Sequence, residues 1–157
     1  MDGDAHAEPE ATPRQRRRAR VLALQALFET DVSGHHPSEV LSRLLGESRW
    51  DPAVFAYARE LIAGVVRHRP EIDQRIASLA KAWPLSQMAA IDRNLLRMGI
   101  FEGLYNSHTI PVGVVISEAV ELARRFGGEH SHRLVNGVLA RALDSMVRDE
   151  EQVRRAE

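Results

Sequence analysis

Five arginines stand within seven residues, at Arg14, Arg16, Arg17, Arg18 and Arg20, in a chain of 157 residues whose formal net charge is only −1. A guanidinium fork matches the oxygens of a phosphate in charge and in geometry. Thr12-Pro13-Arg14-Gln15 reads as a helix start, with Thr12 as N-cap, Pro13 at the first helical position and Gln15 closing a capping box. The helix dipole is positive there and the first amides lack partners, so each like charge costs roughly a few tenths of a kcal/mol. An anion would relieve that cost, and phosphate is the natural one. A solvated charge run is the plain alternative. A basic helix lying on a membrane fits less well, because its apolar residues are good core residues and an acidic stretch precedes the arginines.

The helix that presents these cations carries Val21, Leu24, Leu27 and Phe28 on one apolar stripe, and the stripe continued backward brings Arg17 and Arg20 to the same side. Arginine does not extend a dry core. The first helix is therefore expected to overhang the globule or border its rim, with its cations fanned around the free end.

Further along, proline and glycine mark helix ends. The first helix is expected from Pro13 to Val32, before Ser33-Gly34, and a short second one from Pro37 to Gly46. Asp51-Pro52 opens a third that ends near Arg69; Pro70 opens a fourth, closing at Trp83 before Pro84. A fifth runs from Gln87 to Tyr105 and stops at Asn106-Ser107-His108. The sixth follows Pro111 and ends at Gly127-Gly128; the last begins near Ser131, taken as its N-cap, and frays near Arg148. No segment alternates convincingly as a strand, and no fixed repeat is evident. The fold class is all-α: a compact single-domain bundle of about seven helices.

Composition agrees with one domain, at 44% hydrophobic and 27% charged residues. Residues 1–12 are expected to form a disordered acidic arm, 13–147 the helical domain and 148–157 a charged tail. Cysteine is absent, which excludes disulfides, thiolate nucleophiles and cysteine-rich zinc sites and is compatible with the cytoplasm. No apolar run approaches the roughly 20 residues needed to span a bilayer.

Catalytic machinery is not found. Gly127-Gly128-Glu129-His130-Ser131-His132 precedes a helix but lacks the lysine and the strand of a phosphate-cradling loop. His130 and His132 diverge on a helix and have no third ligand at metal spacing. Glu118 and Glu121 share a helix without a histidine partner. Neither an enzyme activity nor a cofactor or metal is expected.

Several segments together resemble the NusB family of transcription antitermination factors: Arg16-Arg17-Arg18-Ala19-Arg20 with Leu24-Gln25-Ala26-Leu27-Phe28, Ile91-Asp92-Arg93 with Leu95-Leu96-Arg97, Ile116 to Ala123, and Phe126-Gly127 with Ser131 to Leu139. The resemblance covers most of the chain from Arg14 to about Leu143. It implies binding of single-stranded boxA RNA from ribosomal RNA leaders together with NusE, a small-subunit ribosomal protein, in an RNA polymerase complex with NusA and NusG. By position it implies that Arg16, Arg17, Arg18 and Arg20 grip RNA. Arg93, Arg97, Arg133 and Leu134 would border the RNA or shape its surface, and Phe28 and Asp92 would face NusE.

Three residues depart from the family pattern. His130 stands where some relatives carry an acid, and loss of that charge favours RNA, so His130→Asp is expected to weaken RNA binding. Leu134 replaces the usual phenylalanine of Phe-Val-Asn-Gly, which removes any stacking there, and Ser117 replaces an asparagine. Gly137 lies inside a predicted helix, where glycine costs about 1 kcal/mol, and is read as permitting close helix approach. The enzyme alternative, the NusB-like part of ribosomal RNA cytosine methyltransferases, fails because no cofactor domain fits after Leu143 and cysteine is absent. A protein-interaction bundle without RNA contact remains the other reading.

Overall fold

The computed structural model describes residues 10–47, 49–106 and 110–157. Those residues form seven α-helices: α1 (Pro13–Ser33), α2 (Pro37–Glu47), α3 (Pro52–Leu79), α4 (Ala90–Ile100), α5 (Val112–Phe126), α6 (Ser131–Ala142) and α7 (Asp144–Ala156). A 3₁₀ turn, Leu85–Gln87, precedes α4, and a π-helical turn, Phe101–Tyr105, extends it. Most of the expected acidic arm, together with Ser107 and His108 of the expected turn, lies outside the described residues.

The capping box at the start of α1 is present as read: the Gln15 amide donates to Thr12 Oγ1 at 3.1 Å, and the Thr12 amide donates to Gln15 Oε1 at 2.8 Å. Two boundaries differ from expectation. Pro70 does not open a new helix but sits inside the 28-residue α3. A proline within a helix costs about 3 kcal/mol, whereas fully burying an isoleucine contributes roughly 1.5–3 kcal/mol. Ile72 and Ile76, both wholly buried beyond Pro70, continue the inward face of Leu61, Ile62 and Val65, so packing outweighs the break. At the other end the last expected helix divides at Leu143, and α7 continues past Arg148 to Ala156.

Helix α4 lies at the centre, and every residue from Asn94 to Ile100 is buried. Helices α1, α3, α5 and α6 all pack on it. One close approach stands at its C-terminal end. An added Cβ on Gly64 of α3 would lie 2.1 Å from the Phe101 ring, so only glycine admits that ring. Gly137, by contrast, has nothing within 4 Å of such an atom; the expected close approach there is not found, and its helix position is open to a side chain. At the start of α5 the Val112 amide donates to Glu150 of α7 at 2.9 Å, placing a carboxylate at the positive end of a helix.

Candidate nucleic-acid interface

The arginine cluster divides by depth. Arg14 and Arg18 are exposed and form no ion pair among the described residues. Arg16 is tied back to the chain, its Nη1 donating to the Ala11 carbonyl at 2.6 Å. Arg17 reaches across to α5, where Nε and Nη2 donate to both oxygens of Glu118 at 2.9–3.3 Å. Arg17 remains 63% exposed in this pair. The bond from Arg17, more than its burial, holds the Glu118 carboxyl below its usual range. No acidic residue stands in the first turn of α1. Its positive end therefore carries exposed guanidinium groups on a rigid, capped helix.

Arg20 corrects the expectation that this helix start overhangs the globule. Its side chain is 3% exposed, with Nε donating to Glu102 Oε1 at 2.7 Å and Nη2 to Oε2 at 2.9 Å. The Tyr57 hydroxyl donates to the same carboxylate at 2.7 Å and accepts from Asn106 Nδ2 at 3.1 Å. Burial opposes the charge on Arg20, but the bond and attraction from Glu102 outweigh it and hold the guanidinium above its usual range. Burial and the neighbouring Glu102 push the Tyr57 hydroxyl up as well. With both donor edges occupied and almost no exposure, Arg20 acts within the core; it does not present itself to a phosphate.

Arg97 departs from the RNA surface for the same reason. Its side chain is 5% exposed and bonds Asp73 through Nε at 2.8 Å and Nη2 at 3.0 Å. Arg93 Nε donates to Asp31 at 2.5 Å, and Asn94 Nδ2 donates to the same oxygen at 3.0 Å. Although partial burial works against it, Asp31 is held below the usual carboxylate range by Arg93, Asn94 and the nearby Arg97. This network joins the end of α1 to α3 and α4. Sequence reasoning missed Glu102, Tyr57, Asp31, Asp73 and the Glu118 contact. A clue was available for Glu102: an arginine on the apolar stripe of a helix requires a buried carboxylate partner.

A second feature lies further along α1. Val21, Leu24, Gln25 and Phe28 form one side of a nearly apolar groove of about 220 Å³, and Ile91 and Phe126 form the other. Phe28 and Phe126 remain 38% and 42% exposed, an apolar patch of the kind that marks protein contacts. Asp92, next to Ile91, is buried to 8% exposure, and its Oδ1 has no hydrogen-bond partner. Of the two residues expected to face a protein, Phe28 lines the groove and is exposed, whereas Asp92 does not line it and its carboxylate is buried out of a partner's reach.

The remaining expected residues lie at the start of α6. His130 and Arg133 are exposed, and Leu134 is half-buried against the core. They are not beside the arginine end: α5 runs from Glu118, at Arg17, to Phe126, at the groove, and Gly127 lies roughly 13 Å along its axis from Glu118. Ser131 is the first residue of α6 rather than its N-cap; its Oγ accepts from the Gly128 amide at 2.8 Å and closes the preceding turn. No group of three or more His, Cys, Asp or Glu side chains that could hold a metal occurs among the described residues.

The helical bundle thus presents surfaces of two chemistries, exposed arginines at one capped helix end and an apolar groove further along the same helix. Comparison with known proteins specifies the class. The family model described as "NusB family" matches residues 17–144, and the chain belongs to that family. Its function is that of the family, transcription antitermination, and it is not an enzyme. It is 46% identical over 125 residues to the transcription antitermination protein NusB of Dehalococcoides mccartyi (strain CBDB1), covering 80% of this chain and 87% of that one. Its identity to the corresponding protein of Roseiflexus sp. (strain RS-1) is 42%, over 79% of this chain and 88% of that one. The fold is similar to that of T. maritima NusB, with a TM-score of 0.77 and 32% identity, covering 86% and 92% of the two chains. A crystal structure of the antitermination factors NusB and NusE in complex with dsRNA matches with a TM-score of 0.75 and 29% identity, over 85% and 99%.

Proposed function

We propose that this protein binds single-stranded boxA RNA of ribosomal RNA leader transcripts through the N-terminal end of α1 while seating NusE at the Phe28–Phe126 groove. In the cytoplasm the assembly joins RNA polymerase with NusA and NusG and keeps ribosomal RNA transcription processive. The observation that carries this reading is the exposure of Arg14, Arg17 and Arg18 around a capped helix start with no acidic residue in its own first turn. Arg16 lies at the same end, Arg133 and His130 flank the path from α6, and Leu134 supports them from below. Arg93 and Arg97 shape the surface indirectly by fixing α1 to α4. Phe28 contributes exposed apolar area, and Asp92, buried next to Ile91 of the groove wall, acts from within α4 and not by direct contact. A structure in which a similar protein is bound to NusE and RNA supports the pairing of partners.

The test is fluorescence anisotropy with a boxA-like RNA across salt, with and without NusE, for wild type and a variant carrying alanine at Arg14, Arg16, Arg17 and Arg18. Each phosphate contact to a single strand contributes about 0.7 to the slope of log affinity against log salt, so the variant's slope should flatten by up to about 3. An unchanged slope with NusE still bound would establish the adaptor reading, in which the groove alone carries function.

A further inference from the structure

At the far end of α3 a second groove, of about 480 Å³, is lined by Glu71, Gln74, Arg75 and Ser78 of α3, by Tyr105 of the π-helical turn and by Arg141 of α6. The α3 residues recur at helical spacing, so they form one continuous wall. Gln15 at the start of α1 bonds Asp51, the cap of α3, and Arg75 lies roughly 35 Å along α3 from that point. The groove is therefore remote from the arginine end and is no part of the site described above.

Its chemistry is specific. Phe101, His68 and Tyr105 form a ladder of stacked rings, with centroids 6.2 Å apart at 24° and then 4.2 Å apart at 13°. The ladder begins in the core, where Phe101 is 7% exposed, and ends at Tyr105, 37% exposed. His68 covers one side of Tyr105 and fixes it. Arg75 and Arg141 are anchored by backbone carbonyls, Nη1 of Arg75 donating to Ala142 at 3.4 Å and Nε of Arg141 to Gly137 at 3.5 Å. Neither forms an ion pair among the described residues. A fixed aromatic ring beside unpaired guanidinium groups is the combination that holds single-stranded nucleotides, base on ring and phosphate on arginine.

We propose that this groove is a second nucleotide subsite, in which a base extends the Phe101–His68–Tyr105 ladder and its phosphate lies between Arg75 and Arg141. Glu71 and Gln74 on the α3 wall supply an acceptor and an amide to the base edge. They favour bases with an exocyclic amino group, cytosine or adenine, over uracil. The proposal rests on the reading that the protein handles RNA, and it extends the RNA footprint to the opposite end of α3.

The chain has two tyrosines, so selective ring labelling gives a site probe and a control: Tyr105 in the groove and Tyr57 in the core. The experiment is an NMR titration with cytidine, adenosine and uridine monophosphates and with inorganic phosphate, followed by a short oligocytidine. The Tyr105 ring signals should shift saturably with the cytidine and adenosine nucleotides and less with uridine, while Tyr57 stays unmoved. Arg75→Gln with Arg141→Gln, both on the surface, should weaken that binding about tenfold or more, and the alanine variant of the α1 arginines should leave it intact. If the oligomer moves the Gln15 and Arg16 amides but not Tyr105, the groove assignment falls and the α1 reading stands. If it moves neither, both fall. A response to inorganic phosphate as strong as that to the nucleotides would overturn the assignment of a base.

Discussion

Replacing Arg20 by alanine separates architecture from RNA binding within a single arginine cluster. Arg20 and Glu102 are each 3% exposed and share two bonds, so the variant strands a buried carboxylate with the Tyr57 hydroxyl as its remaining donor in this network. Removing one partner of a buried pair costs about 3–5 kcal/mol. For a chain of this length 1 kcal/mol lowers Tm by about 2–4 °C, which gives a drop of roughly 6–20 °C. Urea titration followed by circular dichroism should show the loss as a lower midpoint at constant slope. A matched Arg20→Met, Glu102→Met chain removes both charges and should recover about 2 kcal/mol or more. In the cold, where Arg20→Ala is folded, its RNA salt slope should equal wild type, whereas Arg18→Ala should lose about 0.7 with no change in stability. A stability loss below about 1 kcal/mol, accompanied by a flatter slope for Arg20→Ala, would refute the assignment and show that Arg20 leaves Glu102 for phosphate.

Three further outcomes follow from the packing and the charges. Pro70→Ala should stabilise the protein by about 1–2 kcal/mol in the same titration, because a regained helical bond outweighs the added freedom of the unfolded chain. Gly64→Ala should destabilise it by about 1–3 kcal/mol, since the new Cβ meets the Phe101 ring, and Phe101→Leu should relieve part of that cost. Asp31 and Glu118 titrate below their unfolded values, so the unfolded chain binds more protons at mildly acid pH. Their stabilisation is complete above about pH 5 and is lost as pH falls through the depressed folded values; Tm against pH should decline there, and less steeply in Glu118→Gln.

The fold was legible wherever local chemistry decides it. Thr12 with Gln15, Asp51 with Pro52 and the glycines after α1 and α5 mark helix ends through nearest-neighbour bonds, and these boundaries agree within a residue or two. Pro70 was misread because its local penalty is visible in sequence while the burial of Ile72 and Ile76 that offsets it is not. The depth of the candidate residues was not legible. Arg17, Arg18 and Arg20 look alike along the chain, yet Glu118 and Glu102, 101 and 82 residues away, separate an exposed pair from a core pair. Phe28 and Ile91 could be assigned to helices, but the groove between them exists only once α1, α4 and α5 are packed.

The two sides of α1 also fix a distance. Arg17 bonds Glu118 of α5, and Phe28 lines a groove with Phe126 of the same helix, so α5 meets α1 at both points. Eleven residues of α-helix separate Arg17 from Phe28, a span of roughly 16 Å that cannot stretch. Under the proposed function, a protein partner in the groove that also touches RNA meets a strand held at a set offset, and the second contact forms at an effective concentration instead of by free diffusion. Each contact alone can be weak and quickly reversible while the three-component assembly persists, and a change in helix register within α1 would uncouple the two without altering either surface.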